Sequence, residues 1–286
     1  SADLAAATVD VYVNGTIFLN DFAFRTATPF VSVLAGVPLS IDVAPGNSTS
    51  STQSIYNLTT TLASNATYIL VANGIVSASG YSPNQPFQIS VFPQGRETAL
   101  SVTNTDIVIN HGATDAPTVD VVETNVPAGT IVNDISYPAF TSSYLEVPTA
   151  NYALNVTDAS GATVVASYAA PLQTLGLQGQ ALTVLASGFL NPSQNSNGPA
   201  FGLWVALASG GNLVQLPLIT TAKAQVIHNC ADLAATTVDV YINNVLTLDN
   251  FAFRTATPFV DLPAGVPVSS DVAPARSTSS AQSIYN

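Results

Sequence analysis

The chain of 286 residues is 47 % hydrophobic but only 8 % charged, and 17 acids against five bases leave a net charge of −12. Five scattered cations cannot track a phosphate backbone, which excludes nucleic acid and disfavours anionic membrane surfaces; no apolar run reaches the ~18 residues of a span, so no membrane insertion is expected. An ordinary soluble domain carries roughly 25 % charged residues; here Ser, Thr, Asn, Ala and Val fill the difference, which points to an all-β fold with an uncharged polar surface.

The first predicted strand, TVDVYV at residues 8–13, sets Val9, Val11 and Val13 on one face and Asp10 and Tyr12 on the other. Asn14-Gly15 follows, a type I′ hairpin signal, and TIFL returns. Further strands read PFVSV, PLSIDVAP, SIYNLTTTL, TYILVANGIV and PFQISVFP, then ATVVASYA, ALTVLASGFL, FGLWVAL and NLVQLPL. Short strands with turn residues every 8–12 positions are the pattern of antiparallel, immunoglobulin-like β-sandwiches. No amphipathic helix is expected.

Laying Ser1 on Cys230 matches residues 1–57 to residues 230–286 with roughly 40 identities. The phrases ADLAA, TVDVY, FAFRTATPF, AGVP, DVAP and QSIYN all return in register. A more distant copy lies between them, where VINHGATDAPTVDVV parallels VIHNCADLAATTVDVY. The expected organisation is a module A at 1–104 without its first strand, a module B at 105–218, and the start of a second A at 219–286. The chain begins at Ser1 with neither an initiator Met nor a signal peptide. It therefore reads as a processed product or a segment of a longer two-module array.

The run His111, Asp115, Ala116, Pro117, Val119 and Asp120 resembles the opening motif of a domain-of-unknown-function family of secreted and surface-anchored bacterial proteins. The A modules depart from it, with two extra residues and no proline between Asp232 and Val238. The resemblance implies tandem immunoglobulin-like sandwiches used outside the cell, and it implies no reaction.

His111 with Asp115 and His228 with Asp232 are the pairs that could carry chemistry. A hydrolase needs a nucleophile activated by such a histidine, and zinc needs three or four ligands where each module offers one histidine. The expected role is structural: His ends a strand, and Asp bonds turn N–H groups. Asp10, Asp120 and Asp239 sit between valines, with Arg25 and Arg254 as cross-strand partners for the first and last. No calcium loop, P-loop or nucleophile elbow occurs, so no enzyme activity, metal or cofactor is expected. Cys230, the only cysteine, allows no internal disulfide and reads as a small buried or half-buried residue. The sequons at Asn14, Asn47, Asn57, Asn65 and Asn155 are candidate glycosylation sites in turns or strand flanks. The turn-rich stretch 188–201 is a candidate binding loop.

These readings favour a structural repeat protein of an extracellular, cell-surface fibre, stalk or array, partnered by copies of itself and by covalent glycans, with terminal modules completed by another copy, either along a continuous chain or by strand exchange between subunits. The rival reading is an adhesin or glycan-binding protein whose repeats are spacers.

Overall fold

The computed structural model describes residues 1–124, 129–264 and 268–285, with Asp261 and Pro263 described by their backbone alone. The return of AGVP after Ala264, and Asn286, fall outside these residues. The chain is all-β, in antiparallel sheets of sandwich type, and its helices are 3-10 turns of three residues.

In chain order the first strands are β1 (Thr8–Val13), β2 (Thr16–Ala23), β3 (Thr26–Ala27), β4 (Pro38–Pro45), β5 (Tyr56–Thr61), β6 (Ile69–Asn73) and β7 (Gln88–Phe92). Next come β8 (Asn104–His111), β9 (Val119–Glu123), β10 (Gly129–Ile135), β11 (Leu145–Pro148), β12 (Asn151–Asp158), β13 (Val164–Pro171), β14 (Ala181–Ser187) and β15 (Gly202–Leu207). The last are β16 (Gly211–Asn212), β17 (Val214–Gln215), β18 (Thr220–Ala224), β19 (Thr237–Ile242), β20 (Val245–Ala252), β21 (Val260–Ala264) and β22 (Ser270–Pro274).

Packing divides these strands into two compact units, the first holding Ser1–Val119, Asp134–Ala150 and Leu172–Leu216. Within it, β1 and β2 form a hairpin on Asn14 and Gly15, both at positive φ, as a type I′ turn requires. β4 and β5 extend this hairpin into the order β2-β1-β4-β5. Val9 and Val43 of that sheet pack with Ala6 and Phe87, and the two-stranded sheet β6-β7 supplies Ala72 and Ile89 to the same core. Phe87 meets Tyr56 edge-on, with ring centroids 5.5 Å apart. The same unit holds a five-stranded sheet, β11-β8-β14-β15-β17, in which β8 lies parallel to β14 and antiparallel to β11.

The second unit holds Asp120–Asn133, Asn151–Pro171 and Pro217–Asn286. Most of the sheet β10-β9-β12-β13 belongs to it, with β20-β19-β22 and the pair β18-β21. β19 and β20 repeat the β1–β2 register, bulges included: Val9↔Phe22 returns as Val238↔Phe251, and Val11↔Leu19 as Val240↔Leu248. Asn243 and Asn244 take the positive φ of that turn.

Two expectations change, for PFVSV and for Cys230, and the first strand adds a finding about its polar face. PFVSV, at residues 29–33, lies among residues assigned to no strand, because nothing pairs with its edge among the described residues. Asp10 and Tyr12 lie on the face opposite the valines but are buried, covered by the loop that carries Ser48. The Cys230 thiol is exposed rather than buried, since the stretch around it runs outside any strand.

Two glycines mark equivalent points where the chain leaves β6 and β14. Gly74 and Gly188 have φ of +93° and +96°, and a Cβ on either would sit 2.2 Å from a carbonyl oxygen, of Pro86 or Ala200. Each precedes a matching parallel bridge, Ile75↔Pro86 or Phe189↔Ala200. Gly74→Ala is expected to lower the unfolding free energy by at least about 1–3 kcal/mol. Urea unfolding followed by fluorescence of Trp204, the single tryptophan, measures this; an unchanged midpoint would show that no close backbone approach exists there.

Candidate functional site

The His–Asp motif builds a tie between distant loops. His111 ends β8, is 1 % exposed, and its Nε2 donates to the Pro117 carbonyl at 3.0 Å. This fixes the neutral tautomer, with Nδ1 buried and unpartnered. Burial pushes its pKa below the ordinary histidine value, against the raising pull of the Pro117 carbonyl. His228 repeats the arrangement: Nε2 donates to Ala235 O at 2.7 Å, and Nδ1 accepts from the Cys230 amide at 3.3 Å. The backbone N–H of each histidine donates to an equivalent carbonyl, of Ala139 or of Thr255.

Asp115 accepts from the amides of Leu190 and Asn191 at 2.9 and 2.8 Å, and from Asn195 Nδ2 at 3.0 Å. Its partners lie some 75 positions along the chain, so the sequence expectation of a local turn is corrected to a long-range clamp. Asp3, the counterpart in module A, does the same. Its Oδ2 accepts from the Val76 and Ser77 amides, both at 2.7 Å, and its Oδ1 from the Ala5 amide and the Ser77 hydroxyl. Burial raises the Asp3 pKa, but these bonds outweigh it and hold the carboxyl below its usual range. In the last copy Asp232 bonds the Ala234 amide, the counterpart of Ala5, at 2.9 Å.

The Val-Asp-Val carboxylates form a second tie. Asp10 Oδ1 accepts from the Asp21 amide at 2.9 Å and Oδ2 from the Ser48 hydroxyl at 2.5 Å. Asp239 accepts from the Asn250 amide at 2.8 Å, and from the Ser277 amide and hydroxyl at 2.7 and 2.8 Å. Asp21 and Asn250 both have φ of 53°, so each aspartate secures the bulge of the neighbouring strand. The Ser48 hydroxyl and then the Asp21 amide hold Asp10 below the usual carboxylate range; for Asp239, burial raises the pKa and the amide and hydroxyl bonds outweigh it. Asp120, the module B counterpart, is 6 % exposed.

The expected pairing of Arg25 with Asp10 does not form. Arg25 donates to the carbonyls of Ala200 and Ser187 at 2.9 and 3.1 Å and lies 3.9 Å over the Trp204 ring. Burial lowers its pKa to about 10. Arg254 lies over Phe253, not against Asp239. Arg96 is ion-paired: it contacts Asp106 at 2.6 Å and Glu146 at 2.8 Å while covering the Tyr144 ring.

The candidate binding loop is internally committed. Asn195 is fully buried, and its Oδ1 accepts from the Ser82 amide at 2.9 Å. Ser196 donates to the Gly80 carbonyl, and Phe189 packs on Tyr81. Of the sequons, Asn14, Asn47, Asn57 and Asn65 are exposed; Asn155 is half-buried in β12, accepting from Ser167 Oγ at 2.7 Å. Among the described residues no three His, Cys, Asp or Glu side chains gather as a metal site. No helix is long and apolar enough to cross a membrane.

Asp3 escaped the sequence reading although the repeat aligns it with Asp115 and Asp232. Asn195 carried no comparable signal, being one amide among several in a polar loop.

Asp115→Asn is expected to expose the Leu190 and Asn191 amides to faster hydrogen exchange, reflecting loss of a charge-assisted bond of about 1.5–3 kcal/mol. Unchanged protection there would rule out the clamp. Acid provides a second test. The unfolded imidazole takes its proton near pH 6.5 and the folded His111 takes it lower, so the unfolded state binds more protons and stability falls as pH drops below about 6.5. The contributions of Asp3, Asp10 and Asp239 are complete above the unfolded carboxylate value near 3.9 and are lost as pH falls through their depressed folded values. Urea midpoints should therefore decline from pH 7 to 5, and less steeply in His111→Gln; equal slopes would contradict a neutral buried His111.

Residues 2–122 match a family described as a domain of unknown function (DUF4397). No curated protein and no solved structure matches the chain.

Proposed function

We propose that the chain is a structural repeat protein of an extracellular, cell-surface fibre, stalk or array, assembled from β-sandwich modules. The observation that carries this reading is the use made of the titratable residues. The His–Asp motif that recurs along the chain has its imidazole N–H on a backbone carbonyl and its carboxylate on backbone amides. Groups spent on the backbone hold loops, and a motif spent in the same way in successive modules is a building block. The near-verbatim return of FAFRTATPF fits a two-module period, as in repeat architectures where neighbouring units bury one another's faces.

Sugars on the exposed sequons at Asn14, Asn47, Asn57 and Asn65 would supply the hydration that so few charges do not. The specific His-x-x-x-Asp-Ala-Pro-x-Val-Asp-Val opening belongs to the same reading, as the signature of the module rather than of a site. The adhesin reading would place binding in loop 188–201, whose buried Asn195 is already consumed within the fold.

Electron microscopy of the native assembly and of the concentrated chain should show filaments with a repeating axial period. Glycan-array binding that disappears when residues 191–198 are trimmed, without filaments, would instead establish the adhesin.

A further inference from the structure

The sheet β2-β1-β4-β5 ends in two edges that differ in kind. β2 carries Asp21 at a φ of 53° and an irregular register against β1, the charge and bulges by which an edge resists further pairing. β5, at the other edge, reads YNLTTT, without charge, proline or glycine, and keeps a regular register against β4 from Val43↔Tyr56 to Pro38↔Thr61. No strand pairs with its outer side among the described residues.

Module B displays what such an edge takes. β13 is the counterpart of β5, since Asn155 lies opposite Ser167 as Asp42 lies opposite Asn57. The chain after β17 runs antiparallel along that edge. Leu218 bridges Tyr168, the Ala169 N–H donates to the Pro217 carbonyl at 2.9 Å, and the Ile219 N–H donates to the Ser167 carbonyl at 2.8 Å. In the register that lays His228 on His111, residues 217–219 fall on residues 100–102. These do not cap β5. The Ala99 N–H donates to the Gly179 carbonyl and the Leu100 N–H to Asp106 Oδ2, both at 2.9 Å, which holds this linker against module B. The ladder place of Asp106, opposite Glu146, belongs to Lys223, opposite Asp261, in the last copy. A carboxylate present beside one linker and replaced beside the other thus accounts for one capped edge and one open one.

We propose that β5 of a second copy of the chain completes this edge, antiparallel about a two-fold axis, with Leu58 opposite the partner's Leu58. The edge in module B receives an uncharged antiparallel segment with a leucine at its centre, and β5 is itself such a segment. Positions 57 and 59 are the equivalents of 167 and 169, whose backbone groups meet the capping segment. In this register Thr59 and the partner's Asn57 exchange N–H···O bonds, and the two-fold repeats the exchange. Charge permits the approach. The chain carries a net charge of −12, yet β5 holds no charged residue. Asp42 on the adjoining strand accepts from the Ser40 hydroxyl at 3.2 Å and from Asn57 Nδ2 at 2.7 Å, so the Asn57 amide is turned toward β4 and away from the outer edge.

This deepens the assembly reading, rests on copies of the chain being its partners, and is tested apart from filament formation. Sedimentation of the full chain over a range of concentrations should show a monomer–dimer equilibrium. Thr59→Pro removes an outward N–H from each copy, at a place where an edge strand tolerates proline, and should weaken the pair at least about ten-fold. In a Cys230→Ser background, Leu58→Cys should cross-link to itself under mild oxidation, because directly opposed residues of a non-hydrogen-bonded pair lie within disulfide reach. Thr60→Cys should not. Leu58 is half-buried, so a mixture of Asn57→Cys and Thr59→Cys chains, altered at exposed positions, repeats the test by forming the mixed cross-link. A chain that stays monomeric, association that Thr59→Pro leaves unchanged, or equal cross-linking at 58 and 60 overturns the proposal, even if filaments form by another contact. Pairs that cross-link in this register without filaments uphold it and count against the fibre.

Discussion

The fold depends on a buried carboxylate that gathers backbone N–H groups from a loop some 75 residues away. Asp3 holds the chain just after Gly74, and Asp115 holds it just after Gly188. In both cases the preceding glycine takes a conformation closed to other residues, so the loop would not keep its path without an anchor. Where β8 is present, His111 pins the same turn from the other side through the Pro117 carbonyl. The motif thus locks the first strand and the strand–loop junction of its module at one end of the sheet.

Scarcity of cations explains why amides rather than ion pairs do this. Of the few basic residues, Arg25 is spent on two carbonyls and a tryptophan ring, and Arg96 on Asp106 and Glu146. Buried carboxylates must still be compensated, since an isolated charge in the interior is costly. Backbone amides, bulge positions and serine hydroxyls supply that compensation to Asp3, Asp10 and Asp239. Such bonds are short and shielded, and salt weakens them far less than exposed ion pairs.

Legibility followed periodicity. Alternation in TVDVYV, the Asn-Gly turn and the verbatim repeats made the all-β class and the β1–β2 hairpin readable, and the copy at β19–β20 reproduces even the bulges. Contacts between residues distant in sequence were not readable. Alternation placed Asp10 opposite the valines but said nothing of the Ser48 loop that buries it. Proximity in the pattern suggested an Arg25–Asp10 pair, whereas the positive φ at Arg25 turns the guanidinium toward Ser187 and Ala200. The Asp115 clamp was half legible: acceptor chemistry was evident, its donors were not.

PFVSV shows why strand propensity alone does not make a strand. Phe30, Val31 and Val33 have counterparts in Phe259, Val260 and Leu262, so the two stretches share nearly the same preference for extended structure. One is a strand whose ladder β18 completes; the other is not, and no strand pairs with its edge among the described residues. Proteins that leave edges open blunt them with charge, proline or a bulge. Residues 30–34 and β6 carry no charge and no proline, so both edges retain the character of interior strands.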